Sequence, residues 1–125
     1  MNKLIKIALL GTFVATATAP SFAEGDAKKG ERVYKKCKAC HSLVAGKNGL
    51  GPNLAGIMGR TAGTMEGYKF SKAMAASGIV WNAETMAEYL KKPRAMVKGT
   101  KMTFPGIKGA KGPAQIADLI AFLEQ

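Results

Sequence analysis

Lys36-Cys37-Lys38-Ala39-Cys40-His41 holds both cysteines of the 125-residue chain and its only histidine. Two thiols at i and i+3 lie on one side of a helical turn. From there they can add to the two vinyl groups along one edge of a porphyrin and form two thioethers. His41, the next residue, then sits under the ring with an imidazole nitrogen for the iron. Cys-x-x-Cys-His is therefore read as the attachment signature of a c-type haem.

Other readings of the same residues are weaker. A structural zinc site takes four Cys or His ligands, and the chain has three. A thioredoxin-like redox pair needs a preceding strand and a βαβ setting. The stretch before Cys37 is instead Lys-rich with a helical pattern. A buried histidine beside a disulfide would leave the joint spacing of the three residues unexplained.

The N-terminal 23 residues read as a secretory signal peptide, cleaved after Ala23. Lys3 and Lys6 give the positive start, Ile7 to Ala19 is apolar and small, and Ser21-Phe22-Ala23 supplies the small residues of a cleavage site. The apolar run is short of the ~20 residues of a membrane span. An uncleaved anchor is the alternative. Residues 24–125 then form one small domain, whose modest core a covalent porphyrin would fill. The whole chain carries +11, and without the two leader lysines the remainder carries +9. That balance suits a negatively charged partner: an acidic protein surface, nucleic acid or anionic lipid. An exported address argues against nucleic acid.

Asp26 is a fitting N-cap for a helix over about 27–38. From Ser42 to about Phe70, glycines and Pro52 punctuate what reads as a long loop, and such a loop in a small domain is wrapped around something. Short helices are expected at Lys72–Ala76, after Ser71, and at Ala83–Lys92, capped by Asn82 and stopped by Pro93. On the latter, Met86, Tyr89 and Leu90 share a face. Residues 94–111 read mostly as loop. Pro113 opens a last helix to about Glu124, with Ile116, Leu119, Ile120 and Leu123 as its buried stripe. No alternating run is long enough for a sheet.

A haem iron bound by His41 keeps a second axial position. Met and His are the usual strong-field partners in electron carriers. With no second histidine, a methionine leads among Met58, Met65, Met74, Met86, Met96 and Met102. Most methionines fill cores, and Met86 on a helical stripe reads that way. Met102 lies in a loop bounded by Gly99, Pro105 and Gly106, where a side chain can be presented to a metal.

With these motifs in order, residues 24–125 closely resemble the class I c-type cytochromes of the mitochondrial and bacterial cytochrome c type. Cys37 to His41 matches the haem-binding motif. Gly51-Pro52-Asn53-Leu54 with Gly59-Arg60 matches the loop behind the haem. Gly78-Ile79-Val80-Trp81 matches the propionate segment, Tyr89-Leu90 and Pro93 the helix beside the methionine loop, and Gly99-Thr100-Lys101-Met102 the axial-ligand motif. The resemblance implies an all-α, small cytochrome c fold: crossing N- and C-terminal helices, and loops wrapped around one haem c attached through Cys37 and Cys40. It implies His41 and Met102 as axial ligands. The Pro52 carbonyl would accept a hydrogen bond from the outer ring nitrogen of His41, and Tyr89 would approach the Met102 sulfur. Arg60 and Trp81 would serve a propionate, and Gly30 and Tyr34 would cross Leu119 and Phe122.

Two positions depart from the family pattern. Phe70 replaces a frequent propionate-binding tyrosine. Lys98 replaces a frequent proline, which implies a looser Met102 loop. Residues 108–112 form a slightly longer loop than in the mitochondrial proteins. The resemblance implies a monomeric, soluble periplasmic electron carrier rather than an enzyme. Its donor would be of the quinol–cytochrome c reductase type, its acceptor an oxidase, photosynthetic reaction centre or periplasmic reductase, each met at an acidic docking surface. A haem peroxidase-like enzyme and a gas-sensing haem domain are the alternatives. Both need an open or readily opened sixth iron position.

Overall fold

The computed structural model describes residues 11, 13–16 and 24–125, so the signal-peptide reading falls largely outside the described residues. Among these residues five helices follow in order: α1 (Ala27–Tyr34), α2 (Lys72–Ala76), α3 (Ala83–Lys91), α4 (Pro93–Met96) and α5 (Gly112–Leu123). Among the described residues the only β pairing is an isolated antiparallel bridge between Thr61 and Val80. None of their helices is long and apolar enough to cross a membrane.

Helix starts follow local chemistry. Asp26 caps α1 by accepting from the amides of Lys28 and Lys29, and Ser71 caps α2. Asn82 and Thr85 form a reciprocal capping box at α3. Each cap satisfies amides that a helix terminus otherwise leaves unpaired. Asp26 also ties the two ends of the domain together, since its amide donates to the Asp118 carboxylate at 2.7 Å.

The crossing of α1 and α5 is the principal helix–helix contact. A Cβ at Gly30 would overlap the Asp118 carbonyl of α5. Glycine is thus what lets the backbones approach. Tyr34 packs on Phe122 with ring centroids 5.5 Å apart. The α5 stripe of Ile116, Leu119, Ile120 and Leu123 is buried, as are Met86, Tyr89 and Leu90 of α3. At about 25 cal/mol per Å² of apolar surface, this stripe is a leading source of the domain's stability.

Three boundaries differ from the sequence reading. The first helix ends at Tyr34 rather than Lys38, and separate turns carry the chain on to His41. The third ends at Lys91. Pro93, expected only as a stop, also opens the short α4, which the sequence reading had as loop. A missing N–H costs nothing at a helix's first position, so one proline serves both roles.

Candidate haem site

Loop 42–70 folds over the helices and leaves an apolar cleft of about 730 Å³, counting its mouth. Pro52, Leu54, Ile57, Arg60 and Phe70 come from the loop, Trp81 from the segment before α3, and Met86 and Tyr89 from α3 itself. Cys37, His41 and Met102 also face it. Of the eight site residues read from the sequence, seven line this cleft. Cys40 does not line it and is exposed.

The motif itself is a helical turn. The Cys40 and His41 amides both donate to the Cys37 carbonyl, at 3.1 and 3.0 Å, which closes the turn that carries the motif. Burial pushes the Cys37 thiol above its ordinary pKa, with Lys36 pulling the other way. His41 Nδ1 lies 2.7 Å from the Pro52 carbonyl oxygen. A carbonyl only accepts, so Nδ1 is the donor, and in the neutral ring this tautomer leaves the lone pair on Nε2. The Gly51 backbone lies flat against the ring: a Cβ there would sit 2.5–3.0 Å from Cε1, Nδ1 and Nε2. The Tyr34 hydroxyl donates to the His41 carbonyl at 2.8 Å.

Met102 arrives from the far end of the chain. Tyr89 donates its hydroxyl to Met102 Sδ at 3.4 Å, and Thr100 Oγ1 accepts from the Met102 amide at 3.3 Å. Burial lifts the Tyr89 hydroxyl above the ordinary phenol range, against a smaller opposing pull from the Thr100 hydrogen bond. Tyr89 therefore stays protonated at neutral pH and is a donor.

Whether this cleft suits a haem is tested by its polar atoms. Arg60 donates one guanidinium nitrogen to the Asn53 carbonyl at 3.2 Å, while its Nε is buried with no acceptor. Burial lowers the Arg60 pKa, so the pocket disfavours the bare cation. A carboxylate brought in at this point would satisfy both. Trp81 is buried in the same wall, and its backbone pairs with that of residues 59 and 60. An apolar slot with one orphaned guanidinium donor fits a flat macrocycle bearing carboxylates.

Phe70 lacks the hydroxyl that the family often places there. The neighbouring Tyr68 does not replace it, because the Tyr68 hydroxyl donates to the Leu50 carbonyl at 2.7 Å. Sequence reasoning missed a buried polar floor. Asn53, 3 % exposed, donates to Asn48 Oδ1 from both its amide and its side chain, and also to Met65 Sδ at 3.2 Å. Met86, read as core filler, is buried and lines the cleft. Met96 does not line it.

The comparisons agree with this geometry. The family model described as Cytochrome c matches residues 27–125. A cytochrome c2 of Blastochloris viridis is 43 % identical over 126 residues, covering all of this chain and 94 % of that protein. A cytochrome c2 iso-2 of Magnetospirillum fulvum is 51 % identical over 91 residues, covering 73 % of this chain and 92 % of that one. Among solved structures, cytochrome cH from Methylobacterium extorquens superposes with a TM-score of 0.74 at 44 % identity, covering 80 % of this chain and 98 % of that one. The all-α cleft with a Cys-x-x-Cys-His turn at its edge thus has its class: the chain belongs to the cytochrome c family. It is an electron-carrier cytochrome with one covalently bound haem c, attached at Cys37 and Cys40.

Proposed function

We propose that this is an exported, periplasmic one-electron carrier whose haem iron is held by His41 and Met102. Two donor side chains from opposite ends of the chain face one apolar cleft, each already oriented by a hydrogen bond to its own second partner. That single arrangement carries the reading. The haem supplies the ferric–ferrous couple when bound. Pro52 fixes the His41 tautomer and raises the basicity of Nε2. Tyr89 draws electron density from the Met102 sulfur and fixes its position. The apolar walls exclude water, which disfavours the extra charge of the ferric state and supports a positive potential. Arg60 and Trp81 receive a propionate.

The same arrangement argues against a peroxidase or gas sensor, because the Met102 thioether would occupy the sixth position such chemistry needs open. Met102→Ala tests this. Covalent haem is retained, cyanide binds the ferric protein rapidly, and the potential falls. If Met96→Ala had these effects and Met102→Ala did not, the assignment would be wrong.

The leader supports export. The alignment with the Blastochloris viridis protein extends through all 125 residues. Cleavage after Ala23 leaves Glu24 as the mature N-terminus, with residues 24–125 as the cytochrome domain. An intact mass from native cells checks this, and retention of residues 1–23 with membrane association would make the protein a tethered carrier. The +9 charge of residues 24–125 fits acidic docking surfaces on a quinol–cytochrome c reductase type donor and on an oxidase, reaction centre or periplasmic reductase.

A further inference from the structure

The Met102 loop has little main-chain support. Among the described residues, the one backbone–backbone hydrogen bond between Lys98 and Gly106 is Thr100 N–H to the Val97 carbonyl, and the next is where the Ile107 amide donates to Leu90. Lys98 supplies none of the restriction a proline would, and Gly99 has φ +91°. A second set of contacts takes over. Lys101, next to Met102, donates its ammonium to the Lys69 carbonyl at 2.5 Å and lies 5.9 Å from the Tyr68 ring centroid. Tyr68 in turn donates to the Leu50 carbonyl at 2.7 Å and packs edge-on against Phe70, with centroids 4.9 Å apart. Asn48 adds a hydrogen bond to the Gly67 carbonyl at 3.1 Å.

We propose that Tyr68 is a positioning residue for the axial methionine: it anchors residues 67–70 to the 48–50 loop and presents a fixed carbonyl and ring face to Lys101, which straps the Met102 loop shut. This role rests on Met102 being the sixth ligand. A carbonyl acceptor and a ring face both hold an ammonium only while the segment carrying them is itself held. The segment is held from the 48–50 side, where the Tyr68 hydroxyl and Asn48 are its side-chain fastenings. Tyr68 therefore acts on the iron site without touching it, through Lys101.

The test is cyanide binding to the ferric holoprotein, a reaction gated by departure of the Met102 sulfur, with amide hydrogen exchange at Thr100–Met102 as a second readout. Tyr68→Leu removes the hydroxyl and the ring together and speeds cyanide binding about tenfold; Tyr68→Phe keeps the ring and gives about threefold. Lys101→Leu alone gives a similar acceleration, and in that background Tyr68→Leu adds less than about twofold, because the strap is already cut. A merely structural Tyr68 would lower resistance to guanidinium and leave the cyanide rate in water unchanged. If Tyr68→Leu does not fold, Tyr68→Phe and Lys101→Leu with their double variant carry the same test. Unchanged rates in the Tyr68 variants, or full additivity with Lys101→Leu, overturn the strap. A parent protein that binds cyanide as fast as Met102→Ala overturns the ligand assignment and the strap with it, so the two failures are distinct.

Discussion

The two walls that present His41 and Met102 are built to different standards. On the histidine side the bonds are short and redundant: His41 N–H to Cys37 at 3.0 Å, Nδ1 to Pro52 at 2.7 Å, Tyr34 to the His41 carbonyl at 2.8 Å and Gly51 N–H to Cys40 at 2.9 Å. Two covalent haem attachments flank that turn. On the methionine side the contacts at Met102 measure 3.3 and 3.4 Å, and they come from side chains. The 3.3 Å N–H···O bond is beyond the usual range and a thioether sulfur is a weak acceptor, so these contacts yield first. On the proposed ligation the contrast makes His41 the permanent ligand and Met102 the one that leaves, so opening of the site should begin at Met102.

The largest expected effect comes from filling a glycine on each wall. Gly51→Ala drives a Cβ into the His41 ring. The ring cannot retreat without losing Pro52, so stability falls by about 2–3 kcal/mol. Gly99→Ala meets only the Ala73 side chain, at 3.4 Å, but forces an alanine to φ +91°. The cost there is about 1–2 kcal/mol, and it falls on the loop. Guanidinium unfolding of both holoproteins decides: equal losses would mean that the walls are equally rigid.

A subtler pair removes one hydroxyl from each wall. Tyr34→Phe deletes the donor to the His41 carbonyl and costs about 1 kcal/mol in global stability, with little change in potential. Tyr89→Phe deletes the donor to the Met102 sulfur at 3.4 Å. It costs less stability but lowers the potential, because a sulfur relieved of that hydrogen bond is a better donor to ferric iron. Potentiometry beside thermal unfolding separates the two. A potential shift in Tyr34→Phe larger than in Tyr89→Phe would reverse the proposed roles.

The histidine wall was legible in the sequence because it is local. Cys37 to His41 lie within one turn, whereas the Pro52 acceptor came with the resemblance. Caps at Asp26, Ser71 and Asn82 and the stripe on α5 were legible for the same reason: each depends on spacing within a few residues. Met102 stood out by its loop between Gly99 and Pro105, and the resemblance then paired it with Tyr89, which no local pattern joins. What stayed hidden depends on closure of the chain. The Asn48–Asn53–Met65 floor links positions whose types suit any loop. Lys101 reads as a solvated lysine until Lys69 and Tyr68 are folded against it. The end of α1 at Tyr34 was missed because the following turns keep a helical composition without keeping the helix.

The smallest expected effects, a few-fold in rate, concern the surface around both walls. Lys36, Lys38, Lys91, Lys92, Lys98 and Lys101 are all exposed and flank the segments that carry the two proposed ligands. The fold divides them. Lys91 pairs with Glu88 at 2.6 Å, so its charge is largely answered within the molecule. Lys101 is engaged with Lys69, so reversing its charge would disturb the Met102 loop as well as docking. Lys36 beside the cysteines and Lys98 before the methionine motif make no ion pair among the described residues, and they sample one wall each. An acidic partner attracts both over a range that salt cuts to about 10 Å at 0.1 M. Exposed rim charges act on encounter more than on affinity, which suits a carrier that must release quickly. Lys36→Glu and Lys98→Glu should each slow bimolecular electron transfer to an acidic acceptor about three- to tenfold at low salt, the loss shrinking as salt rises. Lys111→Glu, at the start of α5, removes the same charge from a residue outside both ligand segments and should cost less. Stopped-flow rates over a salt series measure all three. Equal slowing at all three positions would show that net charge alone sets the encounter, and that neither wall defines a docking face.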